Sequence, residues 1–189
     1  MKRSIGLARL LVLAVLAGVA AWSLAEVAQA GPSAPSVPAE IRPPVGHKVF
    51  LEGHAVGVQI YSCNATSAGY RWGFVGPRAD LYDDRGKVVL THFAGPTWRA
   101  KYGSRVLGRF VDGVTVDATA IPGLLLSVTA TAPGTDGDRL AHTTYVQRVA
   151  TTGGLAPDAS ACTESTAGTT DEVPYTADYF FWKAGGVGE

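Results

Sequence analysis

After Ala30 the chain is built from short apolar or alternating runs cut by turn residues at intervals of roughly ten. No segment there keeps a helical period beyond two turns. That punctuation excludes helical bundles and alternating βα architectures. It predicts a single all-β, antiparallel domain, either a β-sandwich or a barrel-like closure. Strands are expected over residues 48–52, 56–63, 70–74, 79–82, 87–93, 97–101, 105–111, 114–116, 124–131, 140–149 and 175–183. Along 56–63, Val56, Val58 and Ile60 point one way and Gln59, Tyr61 and Cys63 the other, so either row can line a core. Gly53 and Gly57 flank His54 and suggest a bulge or the close approach of another backbone. Pro77 is expected to end one strand, and Asp83-Asp84-Arg85-Gly86 to form a tight hairpin turn. Tyr70, Trp72 and Phe74 share one face and are expected in the core.

The first thirty residues read as an export signal. Lys2 and Arg3 begin it, an apolar run from Leu10 to Leu24 follows, and Ala28-Gln29-Ala30 offers the small residues of a cleavage site. The run is shorter than the roughly 20 residues a bilayer span needs. Residues 31–45 then form a Pro-rich linker, 46–184 the β domain and 185–189 a flexible tail. The expected protein is secreted or extracytoplasmic, with no stable membrane span once the signal is removed. Without residues 1–30 the chain carries a formal charge of −2, with both signs scattered. Such a balance gives no case for nucleic acid or an anionic membrane.

Only two cysteines are present, Cys63 at the end of an early strand and Cys162 in the long irregular stretch 151–173. In an exported chain such a pair forms one disulfide. The alternative is two buried thiols.

Four stretches carry a resemblance: Gly53 through Cys63, Leu81-Tyr82-Asp83, Thr91 through Trp98 and Glu172 through Trp182. Together they resemble a family of secreted bacterial and fungal proteins filed as domain of unknown function 3455. The resemblance implies export and a single domain. It implies no activity and no site residues.

Chemistry is not announced by any motif. There is no Gly-x-Ser-x-Gly elbow, no zinc-protease helix and no phosphate-cradling glycine loop. No metal ligand set and no cofactor is assigned. His54 or His92, with Asp83 or Asp178, could form a base with its orienting carboxylate or ligate a metal if the fold joined them. Structural roles are the competing reading for every histidine. Trp98 and Tyr102 flank a hairpin tip, where an exposed pair would stack on sugars or an apolar partner, with Arg99 available to a carboxylate. Core packing is the competing reading for both aromatics. Three functions follow. The first is a non-catalytic binding module for a glycan, a cell-wall component, a protein or another extracellular ligand. The second is a hydrolase using His92 or His54 with an aspartate. The third is a structural envelope protein.

Overall fold

The computed structural model describes residues 31–135 and 137–185. The expected export signal, Asp136 and residues 186–189 of the expected tail lie outside the described residues. Eight antiparallel strands close a barrel in simple sequence order, each beside the next and the last beside the first. They are β1 (His47–Thr66), β2 (Gly69–Tyr82), β3 (Val88–Phe93), β4 (Thr97–Ala100), β5 (Arg105–Val114), β6 (Gly123–Ala132), β7 (Tyr145–Gly153) and β8 (Thr170–Ala184). The fold is therefore all-β, and of the two expected closures it is the barrel. Helical structure among the described residues is limited to 3₁₀ turns at Ala39–Ile41, Ala159–Ala161 and Glu164–Thr166.

The strands are longer than punctuation suggests. Residues 48–52 and 56–63 are parts of the continuous β1, because Gly53 and Gly57 do not break it. Gly57 lets β2 come close, as expected of it: a Cβ there would stand 2.2 Å from the carbonyl oxygen of Arg78. Pro77, expected to end a strand, lies inside β2. It sits one residue past the Arg78–Phe93 pair, where the ladder to β3 has stopped, so β3 needs no N–H from it. β5 likewise continues through Asp112-Gly113 to Val114, with a shift of register between Phe110 and Asp112. β7 begins at Tyr145 rather than 140, since residues 138–144 form turns. The hairpin at 83–86 is as expected: Gly86 takes a φ of 72° and donates its N–H to the Asp83 carbonyl at 2.8 Å.

Alternation decides inside from outside. On β1 the inward row is Ala55, Gln59, Tyr61 and Cys63, while Val56 is 56 % exposed. The interior is filled by Leu81, Leu90, Trp98, Val106, Leu126, Leu140, Val146, Tyr179 and Phe181. Tyr70 and Phe74 are exposed, against the expectation of a core. β2 meets β3 only from Arg78 onward, so residues 69–77 pair with β1 alone and overhang the barrel.

The Cys63–Cys162 disulfide, S–S 2.01 Å, ties that overhang to the connection between β7 and β8. Backbone bonds reinforce it: Cys63 N–H donates to Thr169 O at 3.0 Å and Gly168 N–H to Cys63 O at 2.8 Å. Trp72 Nε1–H donates to Asp158 O at 3.1 Å. A disulfide is consistent with an extracytoplasmic location. No helix among the described residues is long and apolar enough to cross a membrane.

The expected linker, residues 31–45, contributes a buried side chain, Ile41. Its carbonyl accepts from Gln147 Nε2–H at 2.6 Å. Val146 and Arg148 face inward, so Gln147 faces out, and its cross-strand neighbour Leu125 shares that face. The segment thus covers an outer patch of the wall, and a proline-rich stretch buries area where a strand face would otherwise be wet.

Candidate functional site

An eight-stranded barrel is just wide enough to be filled by side chains or to hold one small ligand. Here the packing leaves a space that reaches into the interior. A cavity of about 200 Å³ opens at the end where β2 leaves the barrel. Its rim is apolar: Phe74, Val75, Pro96 and Phe110, with Phe74 58 % exposed. Leu124, Leu126 and Trp98 continue the wall inward. Deeper still lie Gln59, His92, Arg148 and Tyr179. The strands explain this set. Gln59 belongs to the inward row of β1, His92 pairs with Trp98 across β3 and β4, and Arg148 pairs with Tyr179 across β7 and β8.

The polar floor is almost dry. His92 is 3 % exposed and stacks flat on Trp98, ring centroids 4.3 Å apart. Its Nδ1 lies 2.9 Å from Thr97 O; a carbonyl only accepts, so Nδ1 carries the proton and Nε2 the lone pair. Burial pushes its pKa down to about 3, the Thr97 carbonyl works against that shift, and the nearby Arg148 charge adds to it. The ring is neutral at physiological pH. Burial likewise raises the Tyr179 phenol, which stands 3.4 Å from the Tyr175 hydroxyl. Arg148 gives Nε–H and an Nη2–H to Pro122 O at 3.1 and 2.9 Å, a neutral acceptor. Gln59 Nε2 and Trp98 Nε1 are buried without any hydrogen-bond partner.

The fold does not join the two histidines. His92 faces inward and His54 outward. Around His54 a second cluster forms: Nδ1 is 2.7 Å from Asp178 Oδ1 and Nε2 is 3.1 Å from Asp84 Oδ1. Only an imidazolium satisfies a carboxylate at each nitrogen. The hydrogen bond to Asp178 raises the His54 pKa most, that to Asp84 next, and burial opposes both. In this arrangement each imidazole nitrogen is engaged by a carboxylate. Glu52, whose carboxyl is raised by burial, stands beside it. Donor atoms of Glu52, His54 and Asp178 lie within 4.8 Å of one another, the one group among the described residues with the spacing of a metal site.

Asp83 is at neither histidine. It accepts from the N–H of Arg85 and Lys87 at 3.0 and 2.9 Å and stabilises its own turn. Trp98 is 0 % exposed, whereas Tyr102 is 51 % exposed under the Lys101 ammonium. They therefore make no exposed stacking pair, because strand parity turns Trp98 inward. Arg99 is exposed and lies over the Phe93 ring at 5.4 Å, outside the cavity.

Sequence reasoning passed over Arg148 and Gln59. One signal was available. Each is a polar residue in a strand run whose row also carries apolar side chains, Val146 with Arg148 and Tyr61 with Gln59.

Among curated proteins and among solved structures, no match was found. Residues 44–183 match the family model described as Protein of unknown function (DUF3455), which spans every strand of the barrel, and the chain belongs to that family.

Proposed function

We propose that this chain is an exported, non-catalytic binding module that holds a small, largely apolar molecule inside its barrel. Residues 1–30 act as the export signal, and the mature domain starts with the segment that straps the outer wall. The observation that carries this reading is the open cavity of about 200 Å³ whose apolar rim leads down to buried polar side chains in the barrel interior. A cavity of about 150 Å³ accommodates benzene, so this one takes a single ring with a small substituent. Sugar stacking has less support, because the tryptophan it needs is buried.

Toluene tests the reading, since it brings apolar volume and no polar group. At ten times its Kd it stabilises the folded state by about 1.4 kcal/mol, a rise of several degrees in Tm. Leu124→Trp fills the partly exposed entrance and removes that rise. A wild-type Tm indifferent to saturating toluene overturns the reading.

A further inference from the structure

We propose that the molecule held in the cavity is a monoanion, a small aromatic or alicyclic carboxylate, whose carboxylate is received by Arg148, Gln59 and Trp98. This rests on the cavity being a binding site and adds the chemistry of the head group.

Three groups point the same way. Arg148 is a buried cation, and among the described residues the ion pairs form at His54 and Arg78 on the outer face, none at Arg148. A charge taken out of water loses several kcal/mol of solvation unless an opposite charge offsets it. Inside the protein it meets only neutral groups, the Pro122 carbonyl and the Tyr179 hydroxyl, so no counter-charge answers it. Gln59 Nε2 and Trp98 Nε1 are the second and third groups, both buried and both on residues that line the cavity; Trp98 Nε1 has no acceptor, and Gln59 has only the Tyr175 hydroxyl beside it. All three are donors. A protein interior pairs its buried donors, so what is missing here is an acceptor, and the uncompensated charge makes it an anionic one.

The three sites meet around one residue. Tyr179 pairs across the ladder with Arg148 and packs edge-on to Trp98 at 5.6 Å, and its hydroxyl neighbours Tyr175, toward which Gln59 reaches. The charge count is one. His92 is neutral, so the cavity holds a single cation and suits a single carboxylate. Phe74, Pro96, Phe110 and Leu124 stay at the rim for the ring. No bond is made or broken; the carboxylate exchanges water for protein donors.

Calorimetric titration of the full-length protein with phenylacetate, phenylacetamide and phenethylammonium tests this. Phenylacetate is expected to bind at least tenfold more tightly than the neutral amide, and the cation not to bind. Arg148→Met is expected to bring phenylacetate down to the affinity of the amide while the amide is unaffected. Gln59→Glu places a carboxylate in the same cavity, and it should abolish phenylacetate binding with an undiminished Tm, which keeps the test usable if Arg148→Met fails to fold. Equal affinity for acid and amide overturns the anion while leaving the cavity reading intact. Phenylacetate binding that survives Gln59→Glu, or Arg148→Met in a folded variant, also overturns it. If toluene, amide and acid all fail to bind, the cavity reading itself falls.

Discussion

His92 and His54 are the same residue type on the two sides of one wall, and their surroundings drive them to opposite states. Inside, burial against Trp98 and Tyr179 removes the charge from His92, with Arg148 nearby as the only cation of the cavity. Outside, Asp178 and Asp84 hold a charge on His54. The contrast teaches where recognition can be strong. An outer cluster that pairs its own charges in water gains little, because screening and side-chain entropy offset the attraction. An inner cluster that leaves a cation without a counter-charge has a large unmet demand, and a ligand can meet it.

Acid gives the largest separation between the two sides. His92 in the unfolded chain takes up a proton as pH falls through about 6.5, but in the folded barrel only near pH 3. The unfolded state binds more protons in that window, so stability falls with falling pH from about 6.5 to about 3, by of order 5 kcal/mol. Denaturant midpoints measured across that range will show this slope, and His92→Phe is expected to flatten most of it. An unchanged slope would place the interior charge elsewhere.

Removing the clamp at the open end comes next. The disulfide closes a separation of 99 residues, and a Cys63→Ser, Cys162→Ser double variant is expected to lose about 4–5 kcal/mol of stability. Urea unfolding under oxidising conditions reads it. A loss below ~1 kcal/mol would mean the overhang holds itself. Trp98→Ala should then cost about 3–5 kcal/mol, the range for a buried aromatic that leaves a void. Phe74→Ala, on the exposed rim, is expected to cost far less. Similar losses from the two would erase the distinction between the buried wall and the exposed rim of the cavity.

The smallest effect belongs to His54. Its folded pKa lies above the unfolded value of about 6.5, so its contribution is complete below that value and is lost as pH rises through the folded pKa. With side chains this exposed, the change is below ~1 kcal/mol. Imidazole proton resonances make the sharper measurement. His54 is expected to titrate above pH 6.5, and His92 to stay silent between pH 5 and 9.

How much of this was legible depended on distance along the chain. The all-β class, the hairpin at Asp83–Gly86 and the strand ending in Cys63 rest on neighbours and on period-two alternation, which the residues themselves carry. Breakers were less legible. Gly53 and Pro77 stood at expected strand ends and lie inside strands, because whether a residue interrupts a ladder depends on what its partner strand offers at that point. The outer cluster was half visible: His54 and Asp178 were both candidates, but Asp84 stood in for the Asp83 that was expected, since turn geometry aims one carboxylate inward to its own loop.

The amino-acid sequence by itself determined that this chain forms antiparallel strands and that it has one possible disulfide, because local propensity and a count of two cysteines admit little else. Tertiary structure alone decided which row of each strand faces inward, and with it every role in the cavity. Gln59, His92, Trp98 and Arg148 lie on four strands, up to 89 positions apart, and only closure of the barrel turns them toward one space and strips the water from them. Burial is a property of that closure, and the charge on His92 and the unanswered charge on Arg148 both follow from it.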